Sequence, residues 1–252
     1  MTKLLVLVIV ILTGAASTYA QTTDLFELAK NGTPIAIQAA IKQGADPKAV
    51  NKDGMTALML AAANNRNPEV ISTLLKAGAD INAESKDGIT SLMVAAGFNQ
   101  NPEVISTLLK GGADIKAESK DGMSMTALTY CAMNNQNPMV ITTFLNAGAD
   151  LKAVDKNGMT LLEYAAGWNR NPEVIAAILK AGADINARPN GMTALMWAAL
   201  HNLNAEVITI LLKAGADGKV KSNEGKTAFD YMKDNKTLKD TDVHLQLKEA
   251  RK

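Results

Sequence analysis

The stretch Gly54-Met55-Thr56-Ala57-Leu58-Met59-Leu60-Ala61-Ala62 is followed by Asn67-Pro68-Glu69-Val70-Ile71 and Leu74-Leu75-Lys76-Ala77-Gly78-Ala79-Asp80. The same order of residue types returns along the chain. Its opening glycine recurs at Gly54, Gly88, Gly122, Gly158, Gly191 and Gly225, at steps of 34, 34, 36, 33 and 34 residues. A fixed period of this size marks a solenoid, in which one unit cannot bury its apolar face alone and stacking supplies the core.

One period can be read as physics. Asn51-Lys52-Asp53-Gly54 is a polar turn ending in glycine. Thr56 caps a short helix on which Leu58, Ala61 and Ala62 share a face, and the two alanines allow close approach of the next unit. Asn64-Asn65-Arg66-Asn67 breaks the apolar pattern. Asn67 caps a second helix with Pro68 at its first position, where a missing N–H is harmless. Glu69 lies in the first turn, which favours negative charge. Val70, Ile71, Leu74 and Leu75 form an apolar stripe, and Gly78 ends the helix in a left-handed cap. The unit is turn, helix, loop, helix.

These residues carry a resemblance. Gly-x-Thr-x-Leu, the Ala-Ala pair, the Val-Ile/Leu-Leu helix and the closing Gly-Ala-Asp are similar to an ankyrin repeat. Five full units are expected at 51–84, 85–118, 119–154, 155–187 and 188–220, with a capping unit at 21–50 and another at 221–252. The implied fold is an all-α ankyrin-repeat solenoid of about seven helix-turn-helix units. The sequence departs from the common pattern. The Pro and His usual around the first helix are replaced by Ala57/Met59, Ser91/Met93, Ala127/Thr129, Leu161/Glu163 and Ala194/Met196. The usual Gly-His between helices gives way to asparagine-rich loops, and the sequence leaves open what replaces the histidine's hydrogen bonds. Two extra residues within Gly122-Met123-Ser124-Met125-Thr126 predict a longer third finger.

The chain has 252 residues, 47% of them hydrophobic. Lys3 and the aliphatic run Leu4–Leu12 precede small residues ending at Ala20, which is the pattern of a cleaved signal peptide over 1–20. The expected location is therefore exported, periplasmic or secreted, with no membrane insertion once the leader is removed. Without those residues 25 bases face 25 acids, so no general attraction to nucleic acid is expected.

No catalytic motif stands out, and the chain reads as a non-enzyme with no cofactor and no metal site. Cys131 is the single cysteine and aligns with the small buried position of Ala61. His201 and His244, the two histidines, fall in different units. The aspartates after each Gly-Ala read as turn residues, not as acid–base pairs.

The expected function is therefore protein–protein interaction by a monomer. An alternative is an inhibitor or accessory factor of an exported enzyme, for example in oxidative-stress defence. Equivalent positions suggest the face. By the resemblance, Met55, Ile89, Met125, Met159 and Met192 lie near the finger–groove surface. The position occupied by Asn64, Phe98, Asn134, Trp168 and His201 varies between polar and large, as a contact position would. Phe98, Trp168, Arg170 and His201 join the methionines and Ile89 as candidate protein-binding residues. Leu60, Val94, Tyr130, Tyr164 and Trp197, just before the Ala-Ala pair, read as core.

Overall fold

A computed structural model describes residues 24–238 and 241–252. The proposed leader at 1–20 lies outside the described residues. Fourteen helices follow one another among them, and the array is helical with turns. They alternate between two rows. The inner row is α1 (Leu25–Asn31), α3 (Ala57–Asn64), α5 (Ser91–Phe98), α7 (Ala127–Asn134), α9 (Leu161–Trp168), α11 (Ala194–His201) and α13 (Ala228–Met232). The outer row is α2 (Pro34–Lys42), α4 (Pro68–Lys76), α6 (Pro102–Lys110), α8 (Pro138–Asn146), α10 (Pro172–Lys180), α12 (Ala205–Lys213) and α14 (Asp242–Ala250).

Local chemistry sets these boundaries. Thr56, Thr90, Thr126, Thr160, Thr193 and Thr227 each cap an inner helix, the hydroxyl accepting from the backbone N–H three residues on. Asn67, Asn101, Asn137, Asn171 and Asn204 cap the outer helices in the same way, two residues on. The outer helices of the repeats end before glycines such as Gly78, whose φ of 95° suits a residue without a Cβ. The aspartates that follow, among them Asp80, Asp114, Asp150 and Asp184, accept from the N–H two residues on, which makes them turn residues.

The inner helices stack most closely. Ala61, Ala95, Ala132, Ala165 and Ala198 are fully buried where they pack, with Leu58, Leu92 and Leu162 beside them. Val70, Ile71 and Leu74 and their equivalents point inward from the outer row. At the C-terminal end Val243 and Leu247 are buried, but Leu245 is 61% exposed. One continuous core results, shared between neighbours.

The loops between inner and outer helices carry the hydrogen bonds that the sequence left unassigned. Asn65, Asn99, Asn135, Asn169, Asn202 and Asn235 are buried, and each donates its amide to two main-chain carbonyls of the preceding unit. Asn135, for example, lies 2.8 Å from the Ala96 carbonyl and 2.9 Å from that of Asn99. Its own Oδ1 accepts from the Asn137 N–H at 2.9 Å. A second ladder runs outside it. The capping Asn101, Asn137, Asn171 and Asn204 donate to the carbonyls of Arg66, Gln100, Gln136 and Arg170. Each unit is thereby locked to the one before it through main-chain acceptors that would otherwise be buried without partners.

Candidate protein-binding face

The fingers and the inner helices together frame a groove. Each finger closes through its own side chain. Asn51 Oδ1 accepts from the Asp53 and Met55 N–H groups, and Ser85 and Asp155 do the same in their units. In the third finger Ser119 Oγ reaches the Met125 N–H, six residues on, so the two extra residues extend the turn. Ser124 takes φ 56° there, the single non-glycine residue with positive φ among the described residues. Met123 at the same tip is 41% exposed.

The candidate contact residues divide into two groups. Phe98 is 63% exposed and Trp168 39%, and Arg170 and His201 are exposed. Met55, Ile89 and Met192 are half-buried. Met125 and Met159 are buried, at 4% and 8%. They pack with Tyr164 in a small cluster against Tyr130, Met133 and Trp197, apart from the main core. These two methionines therefore support the face from beneath. The rings of Tyr130, Tyr164 and Trp197 beside them cover these two side chains.

An aromatic shelf lies across units four and five. Trp168 and His201 stack with ring centroids 5.3 Å apart and planes 17° from parallel. Trp197 stacks on the same histidine at 5.5 Å and meets Trp168 at 5.5 Å, while Tyr164 meets Trp168 at 5.7 Å. Burial lowers the pKa of His201, so its ring is neutral at pH 7. The indole Nε1 of Trp197 is buried without a partner. Below the shelf Glu163 is fully buried. It completes a capping box with Thr160, and its Oε2 also accepts from Asn190 at 3.2 Å. Its Oε1 has no partner. Burial pushes this carboxyl up to about 7 despite the Thr160 bonds that favour the ionised form.

Residues that sequence reasoning assigned to the core also build this face. The Tyr130 hydroxyl donates to Asp121 at 3.2 Å and that of Tyr164 to Asp155 at 2.7 Å, tying helix to finger. Tyr130 is half-buried and Tyr164 buried. Asp121 recurs at a matching finger position, as Asp53 and Asp87, whereas Asp155 stands where the earlier fingers carry Asn51, Ser85 and Ser119, so only the first aspartate was signalled by recurrence.

Cys131 is buried, and burial pushes its thiol up, which suppresses the reactive thiolate. Among the described residues no group of three potential metal ligands converges, and no helix is long and apolar enough to cross a membrane.

Comparisons with known proteins agree with the architecture. Family profiles described as ankyrin repeats (3 copies) match residues 25–119 and 92–189, and one for ankyrin repeats (many copies) matches 178–232. The human ASB11 ankyrin repeat domain superposes with a TM-score of 0.76 at 22% identity, over 90% of this chain and 97% of that one. The ankyrin repeat domain of Bcl-3, a member of the IkappaB protein family, superposes with a TM-score of 0.63 at 26% identity, over 84% and 94%. No curated protein sequence matches. Ankyrin domains are typically non-catalytic protein-binding scaffolds. With family profiles spanning residues 25–232, this chain belongs to the ankyrin repeat family.

Proposed function

We propose that this protein is an exported, monomeric, non-catalytic scaffold that binds another protein along the groove between its fingers and inner helices. The observation that carries this reading is the Trp168–His201–Trp197 shelf in units four and five, an aromatic platform whose Trp168 and His201 are exposed over a half-buried Trp197. Tryptophan, with arginine, is the residue type that most often carries interface energy. Phe98, two units earlier, and Arg170, two residues after Trp168, are exposed as well, and Met55, Ile89 and Met192 contribute part of their area. Met125 and Met159 hold the platform in place. Export rests on residues 1–20, and an intact mass beginning at Gln21 is expected for natively exported protein.

Affinity capture from the exported fraction tests the face. Trp168→Ala should weaken capture of the bound protein by more than about 1 kcal/mol, with melting close to the parent. Lys180→Ala, at the end of outer helix α10, should leave capture unchanged. The reverse pattern would place binding on the outer side and end this reading. If the captured protein is an enzyme whose turnover changes on binding, the scaffold acts as its inhibitor or accessory factor.

A further inference from the structure

The groove contains a recess of about 300 Å³ between the second and third fingers. Ile89, Met93, Val94, Phe98 and Tyr130 wall it, and Asp87 and Asp121 are the only charged residues that line it. No lysine or arginine lines the recess, although both fingers carry a lysine next to the aspartate. Those lysines are turned toward the preceding finger. Lys120 pairs with Glu84, and the stem of Lys86 lies against Gly54. The recess is thus apolar along its walls and uncompensated in charge where the carboxylates stand.

The two carboxylates are held differently. Oδ1 of Asp121 accepts from the Ser119 hydroxyl at 2.8 Å and from the Met123 N–H at 3.0 Å. Its Oδ2 accepts only from the Tyr130 hydroxyl, at 3.2 Å, which leaves a lone pair for a further donor. Burial pushes the Asp121 carboxyl up, and the hydrogen bonds from Met123, Ser119 and Tyr130 more than offset it, so the group stays ionised. Asp87 forms no ion pair among the described residues. Phe98, with most of its ring exposed, and Tyr130 bring aromatic rings to the same space.

We propose that this recess is a binding site for a basic side chain, arginine fitting best, presented by the protein partner. The proposal rests on the groove being the binding face, and it adds the chemistry that the partner must carry. The match is specific in kind. A long basic side chain buries an aliphatic stem against apolar walls and keeps its charged head at the polar rim. A guanidinium also stacks on aromatic rings and forms paired hydrogen bonds with carboxylates, which suits Phe98, Tyr130 and the two aspartates. A purely aliphatic side chain gains nothing from Asp87 and Asp121, and an acidic one is repelled.

Selection of random peptides on the full chain tests this. Enriched peptides should share a basic position, and changing it to glutamine should weaken binding by about 10-fold or more. Asp87→Asn, whose carboxylate makes no hydrogen bond among the described residues, should weaken the same peptides comparably, as should Phe98→Ala. Asp53→Asn, on the first finger, should not. Melting of each variant should match the parent. Peptides that bind without a basic position, or that Asp87→Asn and Phe98→Ala leave unaffected, overturn the site. If Trp168→Ala still weakens those peptides, the groove stands as the binding face and only the basic pocket is lost. If no peptide is enriched, or none depends on Trp168, Asp87 or Phe98, both readings fall.

Discussion

The seam between units and the groove beside it are built from the same repeats, but they behave in opposite ways. Along the seam the residue does not change. Six buried asparagines, from Asn65 to Asn235, make the same pair of donations to the preceding unit. One residue earlier in each unit, the equivalent positions carry Asn64, Phe98, Asn134, Trp168 and His201. The seam has a single solution because buried carbonyls must each find a donor. The groove has many, because solvent satisfies whatever the side chain does not. Invariance within one chain therefore marks what the fold requires, and variation marks what the fold leaves to a partner.

The most severe way to break this contrast is to remove a seam residue. Asn135→Ala orphans the Ala96 and Asn99 carbonyls and the Asn137 N–H at once. A loss of about 3–5 kcal/mol is expected in denaturant unfolding. A loss below about 1 kcal/mol would show that water replaces the amide and that the seam is not obligatory.

Glu163 sharpens the contrast from the groove side, since it is a buried acid found in a single repeat, bonded to its own Thr160 and to Asn190 of the next unit. Its folded carboxyl keeps its proton up to about pH 7, whereas an unfolded one releases it near 4.5. Its favourable contribution is thus complete below pH 4.5 and drains away as pH rises to 7. Glu163→Gln should stabilise the protein at pH 8 by up to about 3 kcal/mol and flatten the pH dependence between 5 and 8. Parallel pH curves for parent and variant would refute the assignment.

Ala95→Leu probes the stacked alanines. Ala95 is fully buried between inner helices, and overpacking there should cost about 1–3 kcal/mol. An unchanged melting point would mean that the inner row can spread to admit a larger side chain. The smallest stability effect is expected for Phe98→Ala in the groove, within about 0.5 kcal/mol, because most of its ring already faces water. A larger loss would make Phe98 part of the core.

Much of the fold was legible because local signals agreed with one another. The threonine and asparagine caps, the prolines of Pro68, Pro102, Pro138 and Pro172 and the closing glycines all marked the same boundaries that the helices adopt. The asparagine ladder was not legible as such. A run such as Asn64-Asn65-Arg66-Asn67 looks like a polar loop, and polarity alone does not separate the exposed Asn64 from the buried Asn65. The difference arises only when the preceding unit supplies carbonyls. The groove was half-legible for a related reason. Periodicity located the varying positions Phe98, Trp168 and His201, but not that Met125 and Met159 are buried in a cluster with Tyr164. Nor did it show that Tyr130 and Tyr164 reach up to the finger aspartates.

The seam asparagines donate to the main chain of the neighbour, and among them Asn169 also accepts from a side chain there, that of Gln136. Any unit of this kind offers the same carbonyls, so the joint works as a universal coupling. A gene segment encoding one unit can be copied, lost or moved along the array without a matching change next door. The nine residues Pro-Glu-Val-Ile-Ser-Thr-Leu-Leu-Lys, identical at 68–76 and 102–110, have the form such copying would leave. Growth in length and drift in recognition can then proceed independently, one through the coupling and the other through the groove.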